Sequence, residues 1–293
     1  MNITAAQVKE LREKTGCPMM DCKQALMETK GDFEEAITYL RKRGHEGAAK
    51  RKDRATAEGF MAAAVNPRGT RAAAVEVLCE TDFVGRNKEF QNSAKVLADA
   101  LLASGSPETD AAGVLELKSQ DGKRAGDTFE HIRNLLKENI KVGRVCLIDS
   151  GDSGLADAYV HFNGKVGAVV AIRLSDPSLA AKPGVKDLLR DICMQISFSA
   201  PLAIDRTGIN PALIEEEKAV IAELDEVKEK PEKVRPKIIE GKLSKFFKDF
   251  ALLEQEYVKD KKLNVGQLVK QVAKDAGGTI EVAAFKRLEI GKE

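Results

Sequence analysis

A chain of 293 residues with 43% hydrophobic and 32% charged side chains has room for about two globular domains and is too polar to be a fibrous or membrane-spanning protein. Tryptophan is absent and aromatics make up only 5%, so its cores must be built from Val, Ile, Leu and Ala. A net charge of +1 excludes a global field that would draw the whole chain to nucleic acid or to a membrane surface. Five cysteines, an odd number with no C-x-x-C pair, argue against a disulfide framework and a zinc site and fit a reducing compartment. Residues 1–7 show no apolar signal segment, and no apolar run approaches the roughly 18 residues needed to span a bilayer. The expected location is the cytoplasm.

The first 54 residues read as a small bundle with a basic tail. Thr4 and Gln7 form a capping box for a first helix that buries Val8 and Leu11 and stops at Gly16. Pro18 suits the first turn of a second helix, which buries Cys22 and Leu26 and stops at Gly31. Asp32 and Glu35 form a second capping box, opening a third helix with Phe33, Ile37 and Leu40 on one stripe. Three helices in about 45 residues make a bundle near the lower size limit for folding alone. The pattern resembles a ubiquitin-associated domain, which presents an apolar residue between its first two helices. Met19 and Met20 occupy that place; two adjacent methionines cannot both face inward, so one either fills the core or meets a partner. Residues 41–54 carry seven Lys/Arg against Glu46 and Asp53. They read either as a phosphate-contacting arm or as a solvated, semi-flexible linker, and the lack of interleaved aromatics favours the linker.

The middle of the chain uses one motif twice. Residues 57–65 and 70–80 are strand-like runs around Asn66-Pro67-Arg68-Gly69, followed by a helix over about 87–103. Residues 155–162 and 165–175 repeat this around Asn163-Gly164, followed by a helix over about 184–200. Between the copies lie a helix through Ile132, Leu135 and Leu136 and a strand over 142–148. The first hairpin is rich in alanine, as if something large pressed on it. The expected class is α+β: two related antiparallel α+β core subdomains, 55–140 and 141–293, behind the three-helix domain and basic linker of 1–54. Helices starting at Pro211 and near Pro236, broken at Lys230-Pro231, read as an antiparallel helical hairpin inserted at about 210–260 that projects into solvent. Asn264 caps a further helix that Gly277-Gly278 ends, and residues 279–290 form a final strand.

Between the first hairpin and its helix stands Thr81-Asp82-Phe83-Val84. Two readings compete: Phe83 tucks onto the following helix and Asp82 caps it, or the turn presents Phe83 to another molecule. Catalytic patterns are missing elsewhere. His45, His131 and His161 have no ligand spacing, and there is no glycine-rich nucleotide cradle and no nucleophile elbow. Cys17 or Cys22 beside Lys23 could be an activated thiol, but lone cysteines more often pack as small hydrophobes. A protein-binding machine without cofactor, metal or covalent chemistry is expected, with no nucleotide site of its own.

Three separated motifs now carry a resemblance. Leu11-Arg12-Glu13-Lys14-Thr15-Gly16 followed by Met19-Met20-Asp21-Cys22-Lys23-Gln24-Ala25-Leu26, then Glu80-Thr81-Asp82-Phe83-Val84, then Val265-Gly266-Gln267-Leu268 resemble the elongation factor Ts family. The resemblance covers nearly the whole chain and implies a guanine nucleotide exchange factor for elongation factor Tu. Such a factor binds GDP-bound Tu, expels GDP and leaves when GTP-loaded Tu forms; neither nucleic acid nor membrane is required. It implies that Thr81, Asp82, Phe83 and Val84 enter the G domain of Tu and disrupt its Mg²⁺ and phosphate site. Met19, Met20 and Lys23 would dock on the same domain, and Tyr257 and Val258 would touch another part of Tu. Where the family often has a histidine in its second-subdomain helix, Gln195 stands here as the expected contact. No counterpart of the family's additional C-terminal helix is expected after the last strand. Two other functions are compatible with parts of the chain: an adaptor acting through residues 1–54 alone, and an RNA-binding protein acting through 41–54.

Overall fold

Local chemistry at the helix ends accounts for most element boundaries in the computed structural model, which describes residues 3–292. Met1, Asn2 and Glu293, and the side chain of His45, lie outside the described residues. Helix α1 (Ala5–Thr15) has both halves of the Thr4–Gln7 capping box and ends on Gly16 in the left-handed region. Helix α2 (Met19–Glu28) starts after Pro18. Helix α3 (Phe33–Arg51) starts where Asp32 accepts from the Glu35 N–H at 2.8 Å. Leu11, Cys22, Ala25, Leu26 and Ala36 are buried at their junction.

The semi-flexible linker expected from residue 41 onward is instead the second half of α3. Ala48, Ala49, Lys50 and Arg51 are good helix formers, and cations at a helix C-terminus favour the dipole. The end is tied down from afar: the Asn139 amide donates to the carbonyls of Lys52 (3.1 Å) and Arg54 (2.7 Å). Close packing explains Gly44 inside α3 and adds a second reason for Gly16, whose left-handed conformation already favours glycine. A Cβ on Gly44 would lie 2.5 Å from the Asn134 amide, and one on Gly16 would lie 2.1 Å from the His131 ring. Lys137 pairs with Asp21 at 2.9 Å across the same seam.

The first sheet joins β1 (Glu58–Val65), β2 (Arg71–Cys79) and β3 (Lys141–Asp149) in that order, all antiparallel. Residues 142–148 had been expected in the second subdomain; their pairing with β2 moves the boundary from 140 to about 150. Between β2 and β3 come α4 (Asp82–Gly85), α5 (Lys88–Ser104), α6 (Gly113–Glu116) and α7 (Ala125–Leu136). The second sheet joins β4 (Gly154–Val160), β5 (Val166–Leu174) and β8 (Ile280–Glu289), with α8 (Val185–Ser199) and α12 (Val265–Ala276) between.

Strand alternation sorts the two faces of each sheet. Ala73, Val75 and Val77 meet Phe90, Leu97 and Leu101 of α5; Val170 and Ile172 meet Leu188, Ile192 and Ile196 of α8. The opposite faces meet one another through Ala72, Ala74, Ala156, Ala158, Ala171 and Val169. What presses on the alanine-rich hairpin is therefore the second sheet. Small side chains let two sheets approach closely in the middle of a helix–sheet–sheet–helix sandwich. A buried charge pair within the first sheet, between β2 and β3, reaches across this seam through its arginine. Glu76, 3% exposed, takes the Arg144 guanidinium at 2.9 and 2.6 Å, and Arg144 also donates to the Glu289 carbonyl at 2.8 Å.

Helices α9 (Pro211–Glu223), α10 (Asp225–Lys228) and α11 (Arg235–Phe250) form the hairpin, with α9 and α11 packed together. Ala203, Ile209, Ala251 and three phenylalanines of α11 form its base. It ends at Phe250, earlier than expected, because β6 (Glu256–Tyr257) and β7 (Asp260–Asn264) form a separate two-stranded ribbon.

Candidate functional site

Strand β2 delivers the chain to a single helical turn, α4, whose N-cap is Thr81. The Thr81 side chain accepts from the Val84 N–H at 3.4 Å and caps α4, while the cap of the following helix, one reading of Asp82, is supplied by Asn87. Asp82 instead pairs with Arg86, one turn on, at 2.9 Å. Val84 and Gly85 are buried. A Cβ on Gly85 would come within 3.0 Å of the Gly59 carbonyl, so glycine lets the turn lie flat on β1. The Gln91 amide donates to the Gly85 carbonyl at 3.0 Å, and Asn87 caps α5 directly behind.

This frame decides which way the aromatic points. With Val84 turned inward, Phe83 stands 83% exposed. The alternative, Phe83 folded onto α5, is excluded by the geometry. An exposed phenylalanine on a tightly held turn is unusual, because burying it elsewhere would be worth about 2–3 kcal/mol.

Beneath the turn, the Cys79 Sγ–H donates to the Thr81 carbonyl at 3.2 Å. Burial pushes this thiol up to about 12, helped by the nearby Glu138 and Glu58 carboxylates. Cys17 and Cys22, the candidates for an activated thiol, are also shifted upward by burial, so Lys23 does not turn them into nucleophiles. Among the described residues no group of three or more His, Cys, Asp or Glu is placed to hold a metal ion. No helix is long and apolar enough to cross a membrane.

The other expected contact residues fall into two groups. Met19 and Met20 are 49% and 71% exposed at the start of α2, with Lys23 exposed one turn on. Both methionines face solvent, where only one had been expected to, because Cys22, Ala25 and Leu26 already fill the inner face.

Gln195 is different. It is fully buried, so it offers no surface for a partner. Its Oε1 accepts from the Val258 N–H at 2.9 Å, and its amide donates to the Glu256 carbonyl at 3.1 Å. It thereby fixes the ribbon. Tyr257 is also mostly buried, and its hydroxyl donates to the Asp191 carboxylate. Burial, then that carboxylate, raises the phenol's pKa, so it stays protonated. Of these three, Val258 alone presents appreciable surface, at 36%.

Sequence reasoning missed two features. Phe162, 91% exposed, sits at the tip of the β4–β5 hairpin with its ring 4.3 Å from that of His161. A groove of about 670 Å³ separates this tip from α4, with Asp82, Arg86 and Gln91 on one wall and Phe60, His161 and Phe162 on the other. The signal was present, since an aromatic beside Asn163-Gly164 must sit on a turn. The second is Glu138, whose carboxylate grips the base of the Phe83 turn from the connection between α7 and β3. No local pattern marks it.

Comparison with known proteins places these residues in a family. The family model described as elongation factor TS matches residues 80–292, from the foot of the Phe83 turn to the end of the second sheet. The chain is 37% identical to elongation factor Ts of Lawsonia intracellularis over 302 residues, covering all of both chains. It is 36% identical to that of Desulfovibrio desulfuricans over 99% of each chain. Against that of Symbiobacterium thermophilum it is 38% identical over 99% of this chain and 92% of the relative. Likeness at this level from end to end makes this chain a member of the elongation factor Ts family.

Proposed function

We propose that this chain is a guanine nucleotide exchange factor for elongation factor Tu, and that Phe83 is the wedge that opens the nucleotide site. The observation that carries this reading is the exposed phenylalanine held on a capped turn, in a chain of this family. Thr81, Asp82 and Phe83 meet the G domain of GDP-bound Tu and displace the elements that hold the Mg²⁺ water shell and the phosphates, while Val84, buried in its own chain, anchors the turn instead of entering the partner. Met19, Met20 and Lys23 dock on the same domain, and Val258 on the ribbon meets another part of Tu. The factor itself makes and breaks no covalent bond, binds no nucleotide and needs no cofactor.

Magnitudes limit what Phe83 can do alone. A nucleotide held at nanomolar affinity is bound by about 12 kcal/mol. Burying one phenylalanine supplies about 2–3 kcal/mol, or roughly 30- to 150-fold. The remaining contacts must supply the rest, by favouring a Tu conformation that fits the factor and not GDP. The coupling is reciprocal: the factor weakens GDP by the same ratio by which GDP weakens the factor.

The seam between α7 and the bundle supports the whole chain acting as one unit, against an adaptor working through residues 1–54 alone. The test is release of a fluorescent GDP analogue from Tu of the same organism. Fast release with the full chain, and none with residues 1–54, is expected. No acceleration by the full chain, with tight binding by residues 1–54, would replace exchange with adaptor function.

A further inference from the structure

Glu138 lies in the connection from α7 to β3, 57 residues from Thr81 along the chain. Its carboxylate takes three donors from the foot of the Phe83 turn. The Glu80 N–H approaches Oε2 at 3.0 Å, the Thr81 N–H approaches Oε2 at 3.1 Å, and the Thr81 hydroxyl approaches Oε1 at 2.6 Å. The hydroxyl proton is thus committed to Glu138. That leaves the Thr81 oxygen free to accept from the Val84 N–H, the cap that sets the direction of α4. A helix of four residues cannot hold itself in water, because nucleation outweighs the few bonds it makes. The neighbouring residue secures the same foot: the Asn139 N–H donates to Glu80 Oε1 at 2.6 Å.

We infer that Glu138 is a positioning residue for Phe83, holding the turn in its presenting geometry before any partner is met. The inference rests on the exchange reading and deepens it. Glu138 acts by removing the ordering cost that a loose turn would incur on insertion, and it need not touch the partner. Its loss therefore falls on the maximal rate of GDP release more than on the concentration of factor that half-saturates it.

The experiment titrates GDP-loaded Tu with wild type, Glu138→Ala, Glu138→Gln, Phe83→Ala and the Glu138→Ala/Phe83→Ala double variant, all as full chains. Loss of three bonds to a charged acceptor is expected to lower the maximal release rate about tenfold in Glu138→Ala, with half-saturation moved by less than about twofold. Glu138→Gln keeps an oxygen for the two N–H donors and recovers most of the rate. Because Glu138 acts through Phe83, the double variant is expected to be no slower than Phe83→Ala. In the free chain, amide hydrogen exchange at Glu80 and Thr81 is expected to rise about tenfold in Glu138→Ala, with the amides of β2 unchanged. An unchanged maximal rate, losses that multiply in the double variant, or unchanged exchange at both amides would each overturn the assignment. If wild type releases no GDP, the exchange reading falls, and the amide measurement alone decides whether Glu138 braces the turn.

Discussion

Phe83 and Phe162 are the two most exposed phenylalanines among the described residues, each just past a strand; Phe162 lines a groove whose other wall is formed by Asp82, Gly85 and Arg86 of the Phe83 turn. They are held in different ways. The Phe162 tip is held by its own turn and by β1: Gly164 takes the left-handed conformation, Asn163 Oδ1 accepts from the Lys165 N–H at 3.0 Å, the Gly164 carbonyl accepts from the Met61 N–H at 2.8 Å, and Lys165 pairs with Glu58 at 2.6 Å. The Phe83 turn is held at a distance, by Glu138 and Asn139 at its foot and by Gly59 beneath it. The Phe162 tip is tied down through strand backbone, whereas the Phe83 turn is gripped at its foot by one side-chain carboxylate that a single substitution can remove. In the exchange reading proposed above, Phe83 is the wedge and Phe162 a secondary contact.

The largest expected effect tests the frame that both tips share. Arg144→Ala leaves the buried Glu76 carboxylate without its guanidinium, removes the Arg144–Glu289 link between the sheets, and is expected to cost about 3–5 kcal/mol in denaturant unfolding. A cost below about 1 kcal/mol would mean that the two sheets keep their relative placement without this pair.

Next comes the comparison itself. Phe83→Ala is expected to cut the maximal GDP release rate about 30-fold or more while leaving unfolding within about 0.5 kcal/mol of wild type, because the ring packs on little of its own chain. Phe162→Ala is expected to change release by less than about fivefold, an effect within about 1 kcal/mol. Equal losses from the two substitutions would break the distinction drawn between them.

A smaller effect bears on the hairpin tip alone. At Gly164, with φ at +70°, a Cβ would lie 2.4 Å from the Phe60 ring. Gly164→Ala is therefore expected to destabilise by about 1–2 kcal/mol in thermal or denaturant unfolding, with the amides of residues 80–85 unaffected in hydrogen exchange. The smallest is a non-event. With its pKa pushed up to about 12, Cys79 carries on the order of one thiolate in 10⁵ at neutral pH, and maleimide should leave it unmodified in the folded chain. Rapid modification would mean that the foot of the Phe83 turn opens readily.

How much could be read in advance varies along the chain. The Thr4, Asp32 and Asn264 caps, the Asn163-Gly164 hairpin and the apolar stripe of α8 lie where residue chemistry places them, since each depends on neighbours within four positions. The second half of α3 did not, because its glycines and basic residues read as a linker until Asn134 and Asn139 are seen against it. Gln195 was singled out by its position in the motif, but its role, holding Val258 from 63 residues away, depends on a contact that no spacing reveals.

Composition and local pattern by themselves determined that the chain is α+β, where most of its helices begin, and that an aromatic sits beside a carboxylate between β2 and α5. Tertiary structure alone decided which sheet β3 joins, what covers the alanine face, and that Phe83 points outward. The physical reason is range. Caps, turns and periodicity act over a few residues, whereas the direction of Phe83 is set by a buried Val84, a glycine-to-glycine contact and a carboxylate 57 residues along the chain.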